Sequence, residues 1–159
     1  MTMKTPEDYM RMAIAKTREG MEQGQTPFGA CIVKDGQVLA CSHNTVWATT
    51  DITAHAEVTA IREACRTLGA VELTGSVIYS TCEPCPMCFS ACHWAKIGKI
   101  VFGTFIEDAK ACGFSELTVS DAAMKEMGGS PVEIEGGFLR DECQALFDQW
   151  RKRDDAKRY

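Results

Sequence analysis

Two short stretches constrain this chain more than anything else in it: Thr53-Ala54-His55-Ala56-Glu57 and Pro84-Cys85-Pro86-Met87-Cys88. Each stands where a helix is expected to begin. Cys85 and Cys88 are three apart, so on a helix they share a face. The positive end of that helix would lower their thiol pKa values and ready them for a metal.

His55, Cys85 and Cys88 supply three ligands. A structural zinc site normally has four protein ligands, whereas three with an open position is the catalytic arrangement. Zinc lowers the pKa of its bound water from about 16 to about 7. Glu57, two residues past His55, can address that water without binding the metal. Deamination needs such a proton carrier: water adds at the carbon bearing the amine, a ring nitrogen takes a proton, and ammonia leaves. His-x-Glu followed by Pro-Cys-x-x-Cys is the signature of zinc nucleobase deaminases. Other readings stay open at this point. Cys85 and Cys88 could be a redox pair, or Cys82 or Cys92 could close a four-ligand structural knuckle. His43, at a strand end, and His93, in an apolar helical stretch, are poorer ligand candidates.

The length of 159 residues fits one domain spanning 1–159. Hydrophobic residues make up 45% and charged residues 25%, as in an ordinary globular protein able to bury a core. The nine cysteines are odd in number, and Met1 to Met10 is polar with no secretory apolar run. No stretch reaches the length of a membrane span. A reducing cytoplasm is expected, where clustered cysteines mean metal rather than disulfide. The net charge of −5 argues against a dedicated nucleic-acid binder, while leaving room for a local basic patch.

Thr5-Pro6-Glu7-Asp8 is a helix start, followed by apolar residues at helical spacing from Met10 to Met21, with Gly24 as the stop. Phe28 to Lys34 and Gln37 to Cys41 read as strands joined by Asp35-Gly36, a strong hairpin signal. A helix from about Ala54 to Gly69 presents Val58, Ile61, Cys65 and Leu68 on one face. Ser76 to Ser80 and Lys99 to Gly103 read as strands, with a helix from the cysteine motif through about Lys96 between them. Val132 to Ile134 is a weaker strand, and Leu139 to Trp150 a final amphipathic helix. Glu107 to Ser130 is the least regular part. Strand–helix–strand crossovers make the later strands parallel, giving a mixed sheet with helices on both faces.

At these motifs the chain resembles the cytidine deaminase superfamily, and within it the bacterial guanine deaminases most closely. The resemblance rests on Pro27-Phe28-Gly29-Ala30, on Thr53 to Arg62, on Cys82 to Cys88, on Trp94-Ala95, on Gly113-Phe114 and on Tyr159. It implies a three-layer α/β/α sandwich around a mixed five-stranded sheet, a zinc ion, and a homodimer. It implies that Asn44 hydrogen-bonds a purine and that Phe28, Ala54, Ala56 and Trp94 contact the base. Glu116, where many relatives carry Asp, would hand protons to the leaving amine, and Tyr159 would close the site. The favoured reaction is conversion of guanine to xanthine and ammonia. The chain departs from its relatives at Asp51-Ile52-Thr53, where many have Asp-Pro-Thr. Its stretch from Ser120 to Cys143 looks more like tRNA adenosine deaminases. A tRNA adenosine deaminase is therefore the first alternative, with cytosine, guanosine or another amino-azine as further small substrates.

Overall fold

The computed structural model describes residues 2–159. Helix α1 (Pro6–Glu22) opens on a reciprocal capping box. The Asp8 amide donates to Thr5 Oγ1 at 3.3 Å, and the Thr5 amide donates to Asp8 Oδ2 at 2.8 Å. Strands β1 (Gly29–Lys34) and β2 (Gln37–His43) form the expected hairpin. Its turn residues Asp35 and Gly36 both take positive φ, 49° and 76°, the backbone that matches strand twist in a two-residue loop. Gly29 allows α1 to lie close against β1: a Cβ there would strike Thr17 Oγ1 and the Ala13 carbonyl.

The chain continues through α2 (Val46–Thr49), α3 (Ala56–Leu68), β3 (Ser76–Cys82), α4 (Pro86–Trp94) and β4 (Lys99–Thr104). It ends with α5 (Ile106–Ala111), α6 (Asp121–Gly128), β5 (Glu133–Glu135) and α7 (Arg140–Arg151). The strand order is β2-β1-β3-β4-β5. β1 is antiparallel to both β2 and β3, while β3–β4 and β4–β5 are parallel, so the sheet is mixed as expected.

The two faces are told apart by neighbouring residues of β2, whose side chains alternate. Cys41 Sγ reaches the Met12 carbonyl of α1, and Ser42 Oγ donates to Glu63 of α3. Helices α1 and α7 pack together on one face, and α3 with α4 on the other. The three layers and the mixed five-stranded sheet are those the resemblance implies.

One stretch differs from the sequence expectation. Residues 107–130 contain most of α5 and all of α6, while residues 112–120 between them are irregular as expected. Both helices are too short for apolar periodicity to show. They are set by caps instead: the Phe105 amide donates to Asp108 Oδ2, and the Ala123 amide to Ser120 Oγ. Among the described residues, no helix is long and apolar enough to cross a membrane.

Candidate active site

The parallel strands β3 and β4 end at the same edge of the sheet, and α3 and α4 both start there. His55 is the N-cap residue of α3 and Cys85 that of α4, with Cys88 one turn on. The two motifs thus meet because each sits at a helix start. Their donor atoms all lie within 4.8 Å of one another. His55 Nδ1 is 3.7 Å from Cys85 Sγ and 3.6 Å from Cys88 Sγ. Tetrahedral zinc with ordinary Zn–S and Zn–N bond lengths sets sulfur and nitrogen ligands about 3.6 Å apart. The donors therefore fit a zinc ion in type and spacing. Neither Cys82 nor Cys92 joins them: Cys82 Sγ donates to the Phe105 carbonyl, and Cys92 is buried in the core. Among the described residues no fourth protein ligand closes the set, which argues against the structural knuckle.

The electrostatics favour a metal. The Cys88 thiol hydrogen-bonds Cys85 and, against the cost of burial, holds the Cys85 thiol down at about 4, with His55 helping. That bond and burial together push Cys88 up, so the pair shares a proton that a bound cation would displace.

Glu57 lies in the first turn of α3 and is buried. Burial and the neighbouring Cys85 thiolate raise its carboxyl pKa, while the His55 charge opposes them. Ser80 Oγ stands 3.0 Å from Glu57 Oε1 and 2.6 Å from the Cys82 carbonyl. A hydroxyl has one proton. When Ser80 gives it to the carbonyl, its oxygen accepts from a protonated Glu57. Ser80 is thus fit to hold Glu57 in place in either protonation state.

Two joined cavities lead to this point. The inner one, about 20 Å³, is bounded by Phe28, His55, Glu57, Cys82, Glu83, Cys85, Glu116 and Tyr159, and has room for one water-sized species. The outer one, about 290 Å³, shares His55, Cys85, Glu116 and Tyr159 with it. Its mouth adds Ile52, Pro86, Met87, Phe114, Ser115 and Leu117. Among the described residues, no lysine or arginine lines either cavity.

Glu116 belongs to both cavities, and burial followed by the Cys85 and Glu57 charges pushes its carboxyl up to about 7. The Tyr159 ring lies over His55 with centroids 5.4 Å apart. Its hydroxyl accepts from Asn44 Nδ2 at 2.6 Å and pairs with Thr26 Oγ1 at 3.3 Å. Asn44 is fully buried beneath Tyr159, with Oδ1 accepting from the Val46 amide at 3.0 Å. Phe28 is on the inner wall, edge-on to Phe114 at 5.0 Å.

The segment ending at Tyr159 is strapped to the loop that carries Glu116. The Ser115 amide donates to the Tyr159 carbonyl at 3.0 Å, and Arg158 Nε donates to the Cys112 carbonyl at 2.8 Å. The Arg158 guanidinium lies 4.7 Å over the Trp150 ring.

Some expected residues are not brought to the pocket. Trp94 is 81% exposed and lines a separate concavity with Thr74, Lys96 and Pro131. It is the last residue of α4, so the helix that starts at the site carries Trp94 away from it. Within this chain Trp94 does not line the base pocket. Ala54 and Ala56 are buried beside His55 but contribute to neither cavity wall.

Three further buried polar residues stand near the site without having been singled out by their motifs. Ser80 is one of three small, buried hydroxyl residues on β3, with Ser76 and Thr81, so nothing in the strand's pattern marks it out. Glu83, inside the cysteine motif, accepts from the Ile106 amide at 3.1 Å and the Asp121 amide at 2.9 Å, which fixes the starts of α5 and α6. Asp121 is fully buried with neither carboxyl oxygen paired, and burial with the Glu83 charge pushes it up to about 9.

A mixed sheet whose parallel edge presents one histidine, two cysteines and a buried glutamate defines a zinc-type hydrolytic site on an α/β/α sandwich. The chain belongs to the family of the cytidine and deoxycytidylate deaminase zinc-binding region, whose model matches residues 3–104. It is a deaminase of that family. It is 44% identical to the guanine deaminase of Bacillus subtilis (strain 168), over 96% of this chain and 98% of that protein. It is 35% identical to the tRNA-specific adenosine deaminase of the same organism, over 98% of this chain and 97% of that one. Its fold matches the guanine deaminase from Nitrosomonas europaea with a TM-score of 0.88 at 24% identity, covering 96% of this chain and 88% of that chain.

Proposed function

We propose that the protein is a zinc-dependent deaminase of a free nucleobase, guanine, which it hydrolyses to xanthine and ammonia. One observation carries the choice of substrate: the mouth of the pocket is made by Ile52, Pro86, Met87 and Leu117, with no lysine or arginine on its wall. A tRNA enzyme must meet phosphates and needs cations where they run. A neutral planar base needs an apolar slot with a few placed polar groups. The net charge of −5 and the higher identity to a guanine deaminase support the same reading.

His55, Cys85 and Cys88 would hold the zinc, which would supply an activated water at neutral pH. Glu57 takes a proton from the attacking water and delivers it to a ring nitrogen of the base. Glu116, on the wall shared by both cavities, hands a proton to the departing amine. Phe28 packs against the base, and Tyr159 roofs the site and keeps bulk water out. Asn44 acts through the Tyr159 hydroxyl or, once that hydroxyl swings aside, by bonding the purine itself.

The test is ammonia release by the zinc-loaded protein from guanine, cytosine, adenine, guanosine, cytidine and a tRNA anticodon stem-loop. Turnover of guanine well above the others is the expected result. Turnover of the stem-loop with guanine inert would overturn the substrate and favour the tRNA adenosine deaminase reading, for which the 35% identical relative speaks.

A further inference from the structure

The hairpin behind the site holds a second pair of cysteines that the metal chemistry does not use. Cys31 and Cys41 face each other in register across β1 and β2. Directly opposed residues of an antiparallel pair have Cα atoms about 4.5–5.5 Å apart and side chains on one face. A disulfide spans Cα separations of about 4.4–6.8 Å. The backbone register therefore sets the two Cα atoms within the span of a disulfide.

Their surroundings differ in a way that suits two different roles. Cys31 is fully buried, between β2 and Tyr79 of β3. Cys41 is half-buried on the edge strand, where its sulfur reaches the Met12 carbonyl at 3.5 Å. The thiols also interact directly. The hydrogen bond from Cys31 holds Cys41 below the usual thiol range against its burial, with Lys16 assisting and Glu19 and Glu63 opposing. The same bond and full burial push Cys31 up. A half-exposed cysteine directly opposite a buried one is the arrangement of an attacking and a resolving cysteine.

We propose that Cys31 and Cys41 are a peroxide-oxidisable dithiol that closes to a reversible cross-strand disulfide, separate from the metal-binding cysteines. The Cys41 thiolate attacks one oxygen of a peroxide; the O–O bond breaks and an S–O bond forms. With hydrogen peroxide the released hydroxide takes a proton and leaves as water. The Cys31 sulfur then displaces the hydroxyl of the Cys41 sulfenic acid. The S–S bond forms, the S–O bond breaks, and the Cys31 proton leaves with the hydroxyl as a second water. Both electrons come from the two thiols, and the peroxide is the oxidant. A thiol reductant reverses the bond by exchange.

The experiment exposes the full zinc-loaded chain to graded hydrogen peroxide, blocks remaining thiols by alkylation, and maps tryptic peptides by mass spectrometry. Lys34 lies between the two cysteines, so trypsin separates them unless a disulfide joins the fragments. The expected result is a Cys31–Cys41 linked peptide that grows with peroxide and vanishes with dithiothreitol. In Cys31→Ala, Cys41 should stop at the sulfenic acid and be captured by dimedone; in Cys41→Ser, neither product should form. Zinc content measured on the same samples separates this event from loss of the metal. The proposal is overturned if Cys31 and Cys41 stay fully alkylatable at peroxide doses that oxidise other cysteines. It is equally overturned if wild-type Cys41 passes to the sulfinic acid with no linked peptide. Both readouts come from the wild-type chain, so a poorly folding variant does not blunt the test.

Discussion

Asn44 Nδ2 donates to the Tyr159 hydroxyl at 2.6 Å, a bond between residues 115 apart in sequence. It ties the end of β2 to the segment that roofs the pocket. Tyr159→Phe removes the acceptor and leaves a fully buried amide without its partner. Such a loss costs about 1–3 kcal/mol. If the bond orients the roof over the bound base, kcat/KM for the nucleobase falls by roughly tenfold or more, since about 1.4 kcal/mol is a factor of ten. Steady-state kinetics of the variant check this, and unchanged kcat/KM would remove Tyr159 from the site's function.

Arg158 should act on activity without touching the pocket. It bonds the Cys112 carbonyl and lies over Trp150, and through Tyr159 it braces the loop bearing Glu116. Arg158→Ala is expected to lower kcat more than it raises KM, because a loosened proton donor matters most in the transition state. Arg158→Lys keeps the charge but not the planar stack, and should recover little. A rise in KM alone would mean that the strap only shapes binding.

Asp121 gives the pH dependence of stability a definite sign. Its carboxyl is held up at about 9, well above its usual 3.8. Between those values the native state binds a proton that the unfolded chain has released. Stability therefore falls as pH rises through that window. Asp121→Asn cannot ionise, so the fall of Tm between about pH 5 and pH 8.5 should be shallower in the variant than in the wild type, both zinc-saturated. Parallel Tm curves would show that Asp121 ionises normally.

Metal removal should cost stability as well as activity. A ligand that binds only the native state stabilises it in proportion to the logarithm of its free concentration. Chelation is expected to lower Tm, and added zinc to restore it. Cys88→Ala should abolish the restoration, because a three-donor set has no spare ligand. A Tm indifferent to chelator would argue that the three donors hold no structural load of metal.

The sequence made the metal triad and Glu57 legible because each lies at a helix start with a fixed local spacing. The Asp35-Gly36 hairpin and the Thr5 cap were legible for the same reason: the signal is local. What was not legible depends on direction and on distance in the chain. Trp94 follows the motif in sequence, yet α4 turns it outward. The short helices α5 and α6 offer too few turns for periodicity, and Glu83 holds their starts from far away in the chain. Ser80 reads as one of three small hydroxyl residues of β3, with Ser76 and Thr81, until the fold sets Glu57 beside it.

The central claim is that Glu57 carries protons for hydrolysis at a zinc held by His55, Cys85 and Cys88. The most direct measurement compares ammonia release from guanine by wild type and Glu57→Gln, each loaded with zinc and assayed for metal content. General acid–base catalysis contributes about 10²–10⁴-fold, so the variant should bind zinc one-to-one yet turn over at about one per cent of wild type or less. Equal rates at equal zinc content would contradict the account.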